Sequence, residues 1–376
     1  LIAGYDHLPP KINVGDSVAE ANRMQDEIEF VMGDVEEYVR RVRASAKNPA
    51  VYDMELTGSK YQYVLLGALS TRSYLKRQNF ACEALLERYA EPLAAMAQRL
   101  GYKPRPALFD EAWKFLLVNS AHDSIHGSSV DEVHVEMEAR NAGVRQIASG
   151  IIHEAMAHMA GRMKPLDGRG CIVYAPVATE APQIAEVWLA VGDKPVLMRT
   201  RDGRALPTQV LPREAIELNG LGQPRNDAFP APVYRKVLFM APPSDGIEAY
   251  EAAPTDAPES DGALRGGDDF IENEFLRVTA RGALGELIDK ETGRLWPNLN
   301  LLEEEADAGD AWDFAPPWTP GAVIRSTAFD FTSRLVEMGD VRATLRIEGD
   351  LIVPEGLVGD ARSRREARIP VAFDVS

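Results

Sequence analysis

The spacing of apolar residues changes once along this chain, near residue 170, and that change constrains the fold more than any other feature. Before it, apolar residues recur at intervals of three and four, the repeat of a helix packed on one face. Val130, Val133, Met137, Val144, Ile147, Ile151 and Ala155 form the longest such run. Ser129 with Glu132 predicts a capping box at its start. STRSYLKRQNFACEALLERYAEPLAAMAQRLG places Leu75, Cys82, Leu85, Leu86 and Tyr89 on one stripe and stops at Gly101. Residues 109–119 form a second, strongly apolar helix. After residue 170 the period is two: CIVYAP, EVWLAV, KPVLMRT, VYRKVLFMAP, EFLRVTA, ATLRIEGDLIV and ARIPVAFDV are strand-like runs divided by Gly, Pro and Asp.

These textures predict a multidomain α+β protein. Residues 1–48 read as the end of an α/β domain: LIAG as a strand end, GYDHLPPK as a loop, VAEANRMQDE as a helix and IEFVMG as a short buried strand. Asp34, with Glu37 three residues on, predicts a capped helix over GDVEEYVRRVRA. So short a piece cannot bury a sheet by itself, because helices on parallel strands need the rest of the sheet. Residues 49–165 are predicted to form a three-helix bundle. Residues 166–376 are predicted to form an antiparallel β-sandwich, incomplete at its C-terminus. APTDAPESDGALRGGDD, residues 253–269, reads as a mobile loop or linker.

Composition narrows the partners. With 45% apolar and 26% charged residues the chain matches a globular protein. A formal net charge of −17 argues against nucleic acid or an anionic membrane as the main partner. No run of about 18 apolar residues exists, so no membrane span is expected. Cys82 and Cys171 are the only cysteines, which fits the cytoplasm better than a disulfide framework. The chain opens on Leu1 with no basic leader, and reads as the interior of a longer protein.

Two stretches carry candidate chemistry. LLVNSAHDSIHGSSVDEVHVEME puts His122 and His126 one helical turn apart with Asp123 between them. Such a pair shares a helix face and can bind zinc, but two donors make half a site. A structural or capping role is the competing reading for both, and His134, His153 and His158 read as structural. In GYDHLP, Asp6 sits where a carboxylate after a strand end is often catalytic, although Asp in a Gly/Pro turn is also ordinary turn chemistry. There is no dinucleotide, P-loop, GxSxG or CxxC arrangement.

NSAHDSIHGSSVDEVHVEME resembles the His-Asp-(Ser/Ala)-Ile-x-Gly segment of glycoside hydrolase family 38, the zinc-dependent retaining α-mannosidases. GALSTRSYLKRQNFACEALLERYAEPLAAMA, residues 67–97, is similar to that family's first bundle helix, including its Ser-x-Arg-x-x-x-Lys element. ENEFLRVTARGALGELIDKETGRLW, residues 272–296, resembles the start of its sandwich region. GDAWDFAPP, residues 309–317, resembles a Gly-Asp-x-Tyr-like loop of bacterial members, with Trp312 in place of Tyr.

The resemblance implies roles residue by residue. His122 falls on a zinc ligand and Asp123 on the neighbour that contacts mannose hydroxyls. Asp6 falls on the general acid/base. Tyr5 stands where other members carry a second Asp bordering the sugar. His126 stands where the family carries Thr or Cys, which leaves His122 as the ligand of the pair. The family's His-x-Asp zinc pair and its nucleophile lie upstream of the acid/base, outside this chain. The implied protein is therefore part of an α-mannosidase acting on terminal α-mannosides. Its partners would be the carbohydrate and the missing N-terminal catalytic domain, with a homo-oligomer left open, and the piece is expected to be inactive alone. The alternatives are a non-catalytic carbohydrate-binding or scaffold module, and a His122/His126 metal site in an unrelated hydrolase.

Overall fold

The computed structural model describes residues 9, 11–53, 65–163, 169–191, 195–212, 235–255 and 262–376. The chain divides into two compact units, Leu1–Gly58 and Ser59–Ser376.

Among its described residues the first unit carries two helices, α1 (Val14–Met24) and α2 (Val35–Ser45). Asp34 caps α2 as the sequence predicts, its Oδ1 accepting the Glu37 N–H at 2.7 Å. The box does not close, because the Glu37 carboxylate turns to Arg40 and Arg41 on the next turn. The strand expected over residues 28–33 is not present. A strand needs a neighbour for its ladder, and the described residues of this unit supply none. Instead the Asn22 amide holds the backbone of Phe30, donating to its carbonyl at 2.9 Å and accepting its N–H at 2.8 Å. Val35, Tyr38, Val39 and Val42 line one face of α2, and all four are exposed.

The first described helix of the second unit is the short α3 (Gly67–Ser70). A long rod follows, made of α4 (Ser73–Ala84), a π-helical turn (Leu85–Ala90) and α5 (Glu91–Arg99). Next come α6 (Pro106–Asn119), the five-residue α7 (His122–His126) and the thirty-residue α8 (Asp131–Ala160). The rod, α6 and α8 share one core. Cys82, Leu86, Ala90 and Ala94 meet Ala112, Leu116, Val144, Ala148 and Ile151, and the small alanines let the helices approach closely. The predicted stripe faces inward as expected, with Leu75, Cys82 and Leu86 fully buried.

A polar network that the apolar pattern does not announce crosses this core. Asn119 Nδ2 donates to the Met137 carbonyl and to Asn141 Oδ1, both at 3.0 Å, while its Oδ1 accepts from Arg140 at 3.2 Å. Asn141 in turn donates to Gln78 at 3.2 Å, so α4, α6 and α8 are joined by side-chain amides. The predicted capping box at Ser129 is not formed: α8 starts after Val130, with no side chain on its first amides. The reason lies upstream, since the Ser129 N–H is already spent on the Asp123 carbonyl at 3.1 Å.

Beyond residue 169 the strands of the described chain pair antiparallel, with loops and one 3-10 turn between them. Strands Arg169–Tyr174, Ile247–Pro254, Val196–Thr200 and Ala205–Leu206 make one sheet in that order. Gln183–Leu189, Arg235–Ala241 and Thr208–Val210 make a second. The two share a core in which Val196, Met198 and Tyr250 of one meet Ala185, Val237 and Phe239 of the other. A second pair follows. The five-stranded sheet holding Leu276–Arg281 packs on the three-stranded sheet of Phe331–Met338, Ala343–Pro354 and Glu366–Val375. Each pair is a two-layer sandwich.

Part of the stretch read as a linker is ordered. Arg265–Gly267 and Phe270–Glu272 form a hairpin, and Asp268 accepts the Leu335 N–H at 3.1 Å. Gln209, buried at the edge of the first pair, reaches the second. It donates to Glu337 at 2.7 Å and accepts from the Val341 and Arg342 amides at 3.1 and 2.8 Å.

Candidate functional site

α7 is a single closed turn presented on the surface. The Ser124 and Ile125 amides return to the Ala121 carbonyl, and the Ser128 and Ser129 amides both return to the Asp123 carbonyl. Gly127 makes the reversal possible with φ +84°, in the left-handed region. A Cβ there would also lie 3.0 Å from the Thr71 carbonyl oxygen and 3.1 Å from Arg72 Cβ. Glycine at position 127 is thus required twice, by conformation and by space.

The turn places His122 and Asp123 side by side in solvent. Their side chains are 79% and 60% exposed, and His122 Nε2 lies 3.4 Å from Asp123 Oδ1. His126 is half-buried, its ring edge-on to that of His122 at a centroid distance of 6.1 Å.

Beneath α7 lies a cluster of cationic groups from the start of the rod. The Lys76 ammonium donates to the His126 carbonyl at 2.7 Å and also to the Thr71 carbonyl. Burial, reinforced by the Arg72 charge, holds the Lys76 ammonium below its ordinary pKa. Arg72 sits at φ +46°, uncommon for a side chain of its size. Its guanidinium donates to His134 Nδ1 at 2.9 Å and pairs with Asp131. His134 is buried, and its Nε2 has no hydrogen-bond partner among the described residues. Burial first and Arg72 second hold its pKa below the usual 6.5, so it is the neutral form that packs here.

The same segment touches the loop around Trp312. Thr71 Oγ1 donates to the Ala311 carbonyl at 2.8 Å. A Cβ on Gly67 would fall 2.7 Å from the Trp312 carbonyl oxygen. That loop is built on two aspartates: Asp307 accepts the Gly309 and Ala315 amides, and Asp310 accepts those of Trp312 and Asp313.

Of the residues singled out from sequence, His122 and Asp123 are brought together with His126 close by. Asp6 and Tyr5 lie outside the described residues. His134 is built into the packing, and the His158 ring packs tilted against Tyr102 with its Nε2 3.2 Å from the Leu100 carbonyl oxygen. His153 lines a surface groove with Leu85 and Tyr89. Among the described residues no three His, Cys, Asp or Glu side chains converge so as to hold a metal ion. The donor set here, one exposed imidazole beside a carboxylate, fits a contribution to a zinc site whose other ligands come from elsewhere. Arg72 and Lys76 are the Arg and Lys of the Ser-x-Arg-x-x-x-Lys element, to which the resemblance gives no role in this region, and Asn119 falls outside the His-Asp-(Ser/Ala)-Ile-x-Gly positions. A polar residue ending the apolar run LLVN was the one visible signal for Asn119.

Residues 64–159 match the family model described as the alpha mannosidase middle domain. The chain is similar to the family 38 α-mannosidases. A Halalkalibacterium halodurans protein named "Putative mannosylglycerate hydrolase" is 25% identical over 401 residues, which takes in 96% of this chain and 44% of that protein. The fold matches a crystal structure described as an alpha-mannosidase from Enterococcus faecalis V583. The TM-score is 0.70 at 23% identity, over 98% of this chain and 47% of that one. It also matches an Enterococcus faecalis protein described as belonging to glycosyl hydrolase family 38, with a TM-score of 0.67 at 21% identity, over 97% and 47% of the respective chains. This chain therefore spans less than half the length of these relatives. The described region of this chain runs helices first and antiparallel sheets after.

Proposed function

We propose that this chain is part of a retaining, zinc-dependent α-mannosidase that hydrolyses terminal α-mannosides. The observation that carries the reading is the coincidence of the middle-domain match over residues 64–159 with a surface turn inside it that presents His122 beside Asp123. In this reading residues 1–48 close an N-terminal catalytic domain, residues 49–165 are its middle bundle, and residues 166–376 are the sandwich region. The name of the Halalkalibacterium relative adds mannosylglycerate-like compounds to the substrates worth testing.

The chemistry is assigned as follows. Retaining hydrolysis uses two carboxylates about 5 Å apart, one as nucleophile and one as acid and then base. Asp6 is the acid/base and must start protonated, which burial or a like-charged neighbour in the complete site would favour. The nucleophile comes from the missing catalytic domain. Zinc, when bound, would template the cis O2 and O3 hydroxyls of mannose and act as a Lewis acid. His122 supplies one imidazole to hold it, and Asp123 accepts hydrogen bonds from the hydroxyls beside it. Tyr5 borders the same sugar. A lone imidazole cannot retain the metal tightly, so the 376-residue piece is inactive by itself.

A cytoplasmic location belongs to the same proposal and rests on a chain with only two cysteines. Cys82 and Cys171 are both free, and burial pushes the Cys171 thiol up to about 11. Among the described residues no helix is long and apolar enough to cross a membrane.

The test is an assay of two proteins, this chain and the full-length parent, on an activated α-mannoside with and without added zinc. Turnover by the parent, its loss in Asp6→Asn and zinc loss in His122→Ala are expected. Clear turnover by the piece alone would overturn the division of the site, and a parent inert towards every α-mannoside would overturn the enzyme reading.

A further inference from the structure

We propose that Lys76 is a positioning residue for α7, its ammonium clamping the turn that carries His122 and Asp123 against the first long helix. Lys76 lies outside α7, fifty residues before His126, so nothing local in sequence ties the two together. Its ammonium is half-buried and engages two backbone carbonyls, those of Thr71 and His126. Charged donors make hydrogen bonds roughly twice as strong as neutral ones, and burial makes their loss more costly. The His126 carbonyl is the last of α7, and the carbonyl and amides around it already close that turn on itself. α7 therefore moves as one piece, and the ammonium is its charged link to α4. The close approach of Gly127 to Thr71 and Arg72 adds contact but no charge. A clamp at this end sets the direction in which His122 Nε2 and Asp123 Oδ1 leave the surface.

Hydrogen exchange of the 376-residue chain tests the clamp without any metal. In Lys76→Met, exchange at residues 124–129 is expected to quicken by about tenfold or more, with residues 144–151 of α8 unchanged. Lys76→Arg, which keeps the charge and several donors, is expected to restore most of the protection. Equal exchange in wild type and Lys76→Met overturns the proposal.

The consequence for the site rests on the reading of His122 as a zinc ligand, and is measured in the full-length parent. Lys76→Met is expected to weaken zinc retention against a chelator about tenfold and to lower kcat more than it raises KM, the range typical of outer supports of a metal site. Unchanged zinc retention in Lys76→Met, alongside zinc loss in His122→Ala, would overturn the positioning role. If His122→Ala itself keeps zinc, the ligand assignment has failed, and the exchange result alone decides the clamp.

Discussion

Single positions around α7 carry more constraint than their residue types suggest. Gly127 is the sharpest case. Alanine there would need φ +84° and would meet backbone at 3.0 Å, so Gly127→Ala should cost about 1–3 kcal/mol in thermal unfolding. His134 makes the region sensitive to acid. Its folded pKa is depressed, so the unfolded chain binds the proton more readily and stability rises with pH across this window. The contribution is full above the ordinary value of 6.5 and is lost as pH falls below it. The surrounding charges are Arg72 and Lys76, which depress the pKa, and Asp131, which opposes them. Melting temperature should therefore drop between pH 7 and pH 5, and His134→Gln, which keeps an acceptor for Arg72, should flatten that drop. An equally steep fall in the variant would reject this source.

At the scale of elements, the helical bundle is specified by amides as well as by apolar packing. Replacing Asn119 by Leu takes the amide donor from Asn141 Oδ1, for which the Cys82 thiol at 3.9 Å is a weak substitute, and takes the acceptor from Arg140. An unsatisfied buried group costs about 1–3 kcal/mol, so Asn119→Leu should lower the denaturant midpoint despite its added apolar surface. A gain in stability would show that the network is dispensable.

The sequence makes this bundle largely legible, because Leu75, Cys82, Leu86, Val144 and Ile151 repeat at the period of a helix and all point inward. The sheets are legible for the same reason, at period two. The capping box at Ser129 misleads because cap chemistry is local, whereas the amide it needs is claimed by the Asp123 carbonyl. The strand expected at residues 28–33 misleads because a strand's existence depends on a neighbour that no local pattern encodes. His122 and Asp123 stand out only through the wider resemblance, since their spacing alone favours His122 with His126. Lys76 is illegible as a support, since its partners are carbonyls and carbonyls have no residue signature.

Across the larger unit, side chains among the described residues tie one sheet pair to the other, the Arg342–Glu186 ion pair among them. Gln209 is another, with its amide bonded to Glu337, Val341 and Arg342 from the edge of the other sheet pair. Gln209→Leu should loosen the two sandwiches from each other while leaving each core whole. Differential scanning calorimetry would then show a broadened or split transition in place of a single one, and an unchanged sharp transition would argue that apolar contact among Leu211, Leu238 and Val341 suffices.

The bond from Thr71 to the Ala311 carbonyl joins residues 240 positions apart. Closing so long a loop is an entropic cost that a folding chain meets late, after its local helices and hairpins exist. α7 itself can form within microseconds from neighbouring residues, yet its surroundings wait for the distant aspartate-built loop to arrive. During refolding, then, the His122 turn should be present well before the Trp312 loop reaches the Thr71 segment beside it, and anything that slows the sheets delays that contact without touching a residue of the turn.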